Sequence, residues 1–324
     1  MTTTSLSPQA PRRIRQVGLT LVELMVAMLL GLVVVGAVVS VLLSSRQSYT
    51  TNNALSQVQD NARIAFELMA RDIRQAGSSP CGNSNVSDVL AGTGWYHWVN
   101  GAGLFGVDNA TDPATPLAPL PTAPAPTAGP AIVTRGVGQV SANVITPGTT
   151  CAAGAPMTAA PTDVGIGAND LVLACDGTQA YIYQAAAFNA GLPLTATGTG
   201  TPGNTGALSC ASFSSSAYVA PYQAFAWYLG AAGAGAPKDT LSLYRAHYAG
   251  NALVSDEIIR GVTNMQLAYL TNGTNFVNAG TVGTAWNTVT NVRLTLTLQT
   301  LTNPNNKTNS EPLVRTFDTT IRVR

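Results

Sequence analysis

The stretch VGLTLVELMVAMLLGLVVVGAVVSVLL, Val17 to Leu43, decides the fold. After Gly18 it is an almost unbroken apolar run in which Glu23 is the one charge, and Arg12, Arg13 and Arg15 stand just before it. At about 1.5 Å per residue, a helix over Leu19–Leu43 crosses the ~30 Å hydrocarbon core of a bilayer. Basic residues ahead of such a run hold the N-terminus in the cytoplasm and place the rest of the chain outside. A cleaved secretory signal has an apolar region of only ~7–15 residues ending at small residues, and this run is longer. Glu23 is costly inside a membrane, ~2.5–3.5 kcal/mol at a helix centre and less near an end. Two accounts of it stand. The carboxylate snorkels to the interface, helped by the positive helix N-terminus, or it pairs with a buried cation. A new α-amino group at Leu19, left by a cut after Gly18, would be such a cation.

Gly18-Leu19-Thr20-Leu21-Val22-Glu23-Leu24-Met25 resembles the processing motif of type IV prepilins and type II secretion pseudopilins. The resemblance implies that a membrane prepilin peptidase cuts between Gly18 and Leu19 and methylates the new amine. It also implies that Glu23 pairs with an N-terminal amine during filament assembly. Leu19 departs from the usual Phe at the first mature position, where the family accepts several hydrophobic residues.

The helical pattern continues beyond the membrane. Leu55, Val58, Ala62, Ala65, Met69, Ile73 and Ala76 recur every three or four residues, the period of one helix face. Ile64, Phe66 and Leu68 are expected to widen that face, with Asp60, Arg63, Glu67, Arg71, Asp72 and Arg74 on the remainder. Glu67 and Arg71 are spaced as an i,i+4 pair. Gly77 follows as a C-terminal cap and Pro80 ends the helical stretch. A helix over 19–76 would be about 87 Å long. In pilins, the resemblance implies, the first half of this helix forms the filament core and the second half packs on a sheet.

Past Pro80 the composition changes. Residues 81–130 are rich in Gly, Asn, Thr and Pro, and Pro113–Pro130 is a low-complexity proline tract read as an extended spacer. Short β-prone runs follow at Ala131–Thr134, Leu171–Ala174, Ala180–Tyr183, Ala224–Leu229 and Thr240–Tyr248. Asp256–Tyr269 reads as a strand or a short helix feeding one. Val289–Thr300 alternates, with Val292, Leu294, Leu296 and Leu298 on one face and Arg293, Thr295, Thr297 and Gln299 on the other, as a half-buried antiparallel strand does. After a turn at Asn303–Asn306, Leu313–Arg324 alternates again and can pair back on it. Glu257–Val262, Met265-Gln266, Tyr269, Trp286, Asn291–Leu296 and Arg315-Thr316-Phe317 through Ile321 resemble segments of PilW-type minor pilins.

The expected fold is therefore α+β and pilin-like: a long N-terminal hydrophobic helix packed on a C-terminal antiparallel β-sheet, with long Gly/Pro-rich loops. The expected divisions are a cleaved basic leader at 1–18, a membrane and filament-core half-helix at 19–43 and an amphipathic half at 44–77. A loop region at 78–130 and a globular β-rich periplasmic domain at 131–324 complete them.

Cys81, Cys151, Cys175 and Cys210 all follow the membrane segment, where an oxidising compartment permits disulfides in any of three connectivities. Sequential pairing, Cys81–Cys151 and Cys175–Cys210, is the expectation. There is no CxxC pair or Cys/His cluster, so no metal site is expected. His97 and His247 lie beside aromatic residues and read as packing residues. Asp108–Asp112 is similar to a fragment of a calcium loop but lacks its later glycine and bidentate glutamate. With no hydrolase, phosphate-loop or dinucleotide motif, neither an enzyme nor a cofactor is expected. A net charge of +1 with 10% charged residues provides no field for nucleic acid.

The resemblance implies a minor pilin that initiates type IV pilus assembly, processed by prepilin peptidase and incorporated at or near the tip. Its partners would be the peptidase, other minor pilins, the major pilin, the inner membrane and a tip adhesin. It would reside first in the bacterial inner membrane and then on the pilus. The alternatives are a J-type pseudopilin of type II secretion and a tip adhesin or DNA-binding component.

Overall fold

The early apolar periodicity becomes a single helix, α1, from Leu21 to Gln75. In this computed structural model, the residues described are 18, 20–79, 81–82, 86–98, 101–112, 117, 120, 124–138, 141–146, 157–159, 166–185, 193–194, 200–205, 217–237, 239–301 and 312–323. Residues 1–17 of the expected leader, half of the proline tract and the turn at 303–306 lie outside them. The chain divides into two units, 1–52 and 53–324.

In the first unit every described residue is exposed except Thr51, which is half-buried. By length and composition, α1 can cross a membrane.

In the second unit the remainder of α1 buries Ala54, Val58, Ala62, Ala65, Met69, Ala70 and Ile73. The period predicted this face, with three corrections. Ile64 is 47% exposed and does not join it, whereas Phe66 and Leu68 pack against the core. Asp72, expected on the polar face, is buried because a partner awaits it on the sheet. Glu67 accepts from Arg63 Nε at 2.8 Å, so that one-turn pair replaces the expected pair with Arg71. The helix ends where the main chain turns left-handed at Gly77 (φ 78°), whose N–H donates to Arg135 O. This is the capping role expected of a glycine there.

The strands that follow are β1 (Val86–Asp88), β2 (Leu104–Val107), β3 (Ala131–Val137), β4 (Ala142–Thr146) and β5 (Met157–Ala159). Next come β6 (Leu171–Cys175), β7 (Ala180–Gln184), β8 (Pro193–Leu194), β9 (Tyr218–Ala231), β10 (Leu241–Ala249), β11 (Ala252–Arg260) and β12 (Val262–Leu270). The chain closes with β13 (Phe276–Val277), the short helix α2 (Ala279–Val282), a 3-10 turn at Trp286–Thr288, β14 (Asn291–Gln299) and β15 (Val314–Arg322). The larger sheet is organised around β9, which pairs antiparallel with β3, β4, β6 and β10. The smaller sheet has the order β13-β12-β14-β15.

Two cores result. Alternation along β9 sends Trp227 and Leu229 to the core under α1, and Ala226 and Tyr228 to the core on the other side. The α1 core also takes Val292, Leu294, Leu296 and Leu298 from β14, the face predicted from their alternation. The predicted closing pair is β14–β15, in register from Asn291↔Arg322 to Gln299↔Val314. Asp256–Tyr269 is strand on both sides of a break at Gly261 (φ 83°). There the chain leaves the larger sheet for the smaller one, and a Cβ would meet Gln299 O at 2.6 Å. The fold is α+β and pilin-like, as expected.

The expected sequential disulfides are corrected: Cys81 bonds to Cys175, with Cα atoms 6.0 Å apart. The physical reason is that β1 lies parallel to β7, the neighbour of β6. That pairing draws the chain just after α1 to the end of β6, where Cys175 lies. Cys151 and Cys210 lie outside the described residues.

Candidate functional site

The processing motif begins at Gly18, which is exposed and has nothing within 4 Å of where a Cβ would stand. Leu19, the expected first mature and methylated residue, lies outside the described residues. Thr20 and Glu23 are described and act together. The Glu23 N–H donates to Thr20 Oγ1 at 3.3 Å, and the Leu24 N–H donates to Thr20 O at 3.1 Å. Thr20 therefore caps α1, and Thr-x-x-Glu is the spacing of a capping box. The sequence carried that signal, yet its local meaning is easily missed beside the more conspicuous charge. The exposed Glu23 carboxylate lies in the first turn, where the helix dipole favours it. Behind it, large apolar side chains from Leu21 to Leu43 have no cover, Leu21 being 76% exposed.

In the 53–324 unit, the second half of α1 is fastened to the larger sheet by one buried polar contact. Asp72 Oδ2 accepts from Trp227 Nε1 at 3.1 Å and from Arg245 Nε at 2.9 Å, and Oδ1 accepts from Arg245 Nη2 at 3.0 Å. Burial pushes the Asp72 carboxyl up, opposed by the Arg245 charge and its hydrogen bonds. Burial likewise lowers the Arg245 guanidinium against the pull of Asp72. Arg245 also lies over the Phe225 ring, 3.4 Å from its centroid. Helical spacing alone gives no sign of this contact, because Asp72 and Arg245 are 173 residues apart.

A second polar cluster holds the β10–β11 end. Glu257 accepts from Arg260, the Gly233 N–H and Ser242 Oγ. Burial would raise the Glu257 carboxyl, but these bonds outweigh it and hold the carboxyl down at about 2.

The other residues singled out from sequence have structural work. His97 Nδ1 lies 3.0 Å from Asp88 Oδ2, with its ring on Tyr96. His247 lies 3.6 Å from Asp256 and near Phe225. Asp108 accepts from the Ala279 and Gly280 N–H groups, which makes the calcium-like fragment a cap for α2. Among the described residues no group of three or more His, Cys, Asp or Glu side chains is placed to hold a metal.

The family model PilW, Type IV Pilus-assembly protein W, matches residues 226–323, from within β9 to the end of β15. No curated protein and no solved structure matches the chain. The match implies a role in type IV pilus assembly and pilus components as partners, in a family of structural, non-enzymatic proteins. The apolar helix is consistent with a membrane anchor, and the Cys81–Cys175 disulfide with a domain outside the cytoplasm.

Proposed function

We propose that the chain is a minor pilin that primes type IV pilus assembly, cut by prepilin peptidase between Gly18 and Leu19 and incorporated at or near the filament tip. One coincidence carries the reading. The Gly18–Glu23 motif opens a long exposed apolar helix on the same chain whose end, 226–323, matches the pilus-assembly family. Residues 1–18 are then the leader, 19–43 the half-helix that moves from membrane to filament core, and 44–77 the half that carries the sheet domain. The methylated Leu19 amine pairs with Glu23 once the helix leaves the interface and the carboxylate loses water.

Breaking a buried pair by removing one member costs ~3–5 kcal/mol, and a site near an interface costs less. Even ~1.4 kcal/mol shifts an assembly equilibrium tenfold. Intact-mass measurement on membrane-purified protein is expected to give a methylated Leu19 terminus, and Gly18→Val to retain the leader. Glu23→Ala is expected to be cut normally but to enter pili and minor-pilin complexes poorly. An uncut Met1 terminus in a host with active peptidase would overturn the proposal. A secretion defect with intact piliation would move the chain to type II secretion.

A further inference from the structure

Where the last turn of α1 meets the end of β15, a cleft of about 850 Å³ is lined by Arg71, Arg74, Gln75, Ser78, Ser141 and Arg322, among others. A second lobe of about 340 Å³ shares Arg71 and Gln75 with it and reaches Arg245. The charges are unbalanced. Asp72 is the only carboxylate ion-paired to any of these arginines among the described residues; it is buried and takes two hydrogen bonds from Arg245. Arg71 is left 3.8 Å from the same carboxylate, with more than half of its side chain exposed. Arg74 and Arg322 are exposed, and neither has an ion pair among the described residues. A basic residue in the last turn of a helix is favoured by the dipole, which accounts for Arg74. It does not account for Arg322, brought to the same cleft by a strand nearly 250 positions later in the chain.

We propose that this cleft binds an acidic peptide segment of a neighbouring subunit, whose carboxylates take the forks of Arg74 and Arg322, with Arg71 beside them. Planar guanidiniums match carboxylates in paired hydrogen bonds. The serine hydroxyls and the Gln75 amide supply further polar partners, and the volume holds several residues rather than a lone ion. A nucleic acid fits less well. It calls for a basic track along its backbone and exposed aromatic platforms, whereas these arginines converge on one hollow and the nearby Phe225 ring lies under Arg245. That the neighbour is another pilus subunit rests on the function proposed above.

The test uses the full chain in detergent micelles and fluorescence anisotropy of a rhodamine-labelled polyglutamate peptide, with an oligothymidylate of matched charge as the second probe. Wild type is expected to bind the peptide in a salt-sensitive manner and more tightly than the oligonucleotide. Arg74→Ser/Arg322→Ser is expected to weaken peptide binding about tenfold or more. Arg46→Ser/Arg315→Ser, which removes the same charge elsewhere, is expected to leave it unchanged. Near-UV circular dichroism and the melting temperature check that each variant is folded. Should the Arg74 variant not fold, Arg322→Ser alone is expected to show the loss. Absence of peptide binding, equal weakening by the two double variants, or tighter binding of the oligonucleotide overturns the proposal. Peptide binding by a chain that is never cut at Gly18 supports the cleft and overturns the pilin reading. Normal cutting without peptide binding overturns the cleft alone.

Discussion

Replacing Arg245 with alanine tests how α1 is fastened to the larger sheet. The Asp72 side chain is 1% exposed and that of Arg245 15%. Removing the guanidinium takes two of the three hydrogen bonds that Asp72 accepts, leaving Trp227 Nε1 and the more distant Arg71. Breaking a buried pair costs ~3–5 kcal/mol, and Arg71 places this one toward the lower end. Loss of the stack on Phe225 adds about 0.5–1 kcal/mol. Arg245→Ala is therefore expected to lose about 3–4 kcal/mol near neutral pH.

Its pH dependence has a definite sign. Burial already raises the Asp72 carboxyl, and losing Arg245 raises it further. In the variant, the folded state therefore favours the protonated acid. The deficit is smallest below the ordinary carboxylate range and grows as pH rises through the raised pKa. Asp72→Ala is expected to cost less, because Arg245 can turn toward the adjoining cleft and hydrate. Asp72→Leu/Arg245→Leu should recover part of the loss. Urea unfolding of the full chain in micelles, followed by tryptophan fluorescence, gives all three values. If Arg245→Ala stays within about 0.5 kcal/mol of wild type at every pH, the contact is not what holds the helix.

Glu257, held at about 2 against 4.5, contributes stability that is full above 4.5 and lost as pH falls toward 2, and Glu257→Gln should flatten that part of the pH–stability curve. Gly103→Ala would drive a Cβ into the backbone of Ala76 and Gly77, and is expected to lower stability by about 1–3 kcal/mol or more in urea unfolding. Cys81→Ser/Cys175→Ser opens a loop between positions 94 apart and should cost about 2–5 kcal/mol, read as a fall in melting temperature. An unchanged melting temperature would mean that this disulfide does not constrain the unfolded chain.

What could be read in advance was local. The α1 face followed from apolar residues at helical spacing, and the β14 and β15 faces from strict alternation. Turn chemistry at Gly77 lay in the residue type, whereas Asp256–Tyr269 read as one element and the break at Gly261, also at positive φ, emerged only in the structure. The less legible features depend on partners far along the chain. Asp72 looked like a surface charge because spacing assigns a face but not what lies opposite it. The strand core at 224–229 was visible, but β9 runs on through Pro221, a residue that argues against an interior strand by itself. The disulfide was misassigned because sequence order carries no information about β1 lying beside β7. Thr20 is the converse case, a local capping signal overshadowed by the rarer charge three residues on.

The position of β9 limits how the molecule can be cut. The family match starts at residue 226, inside β9, so a fragment beginning there would split that strand. It would discard Tyr222–Phe225, the partners of Thr134–Val137, and Tyr218–Pro221, the partners of Val172–Cys175. It would also strip α1 from the Val292–Leu298 face, leaving bare apolar surface and a broken strand edge open to aggregation. A soluble fragment for crystallography or partner screening is better started near Asn53. That keeps every strand of both sheets together with the helical turns that cover them, and omits residues 1–52, the uncovered apolar run among them.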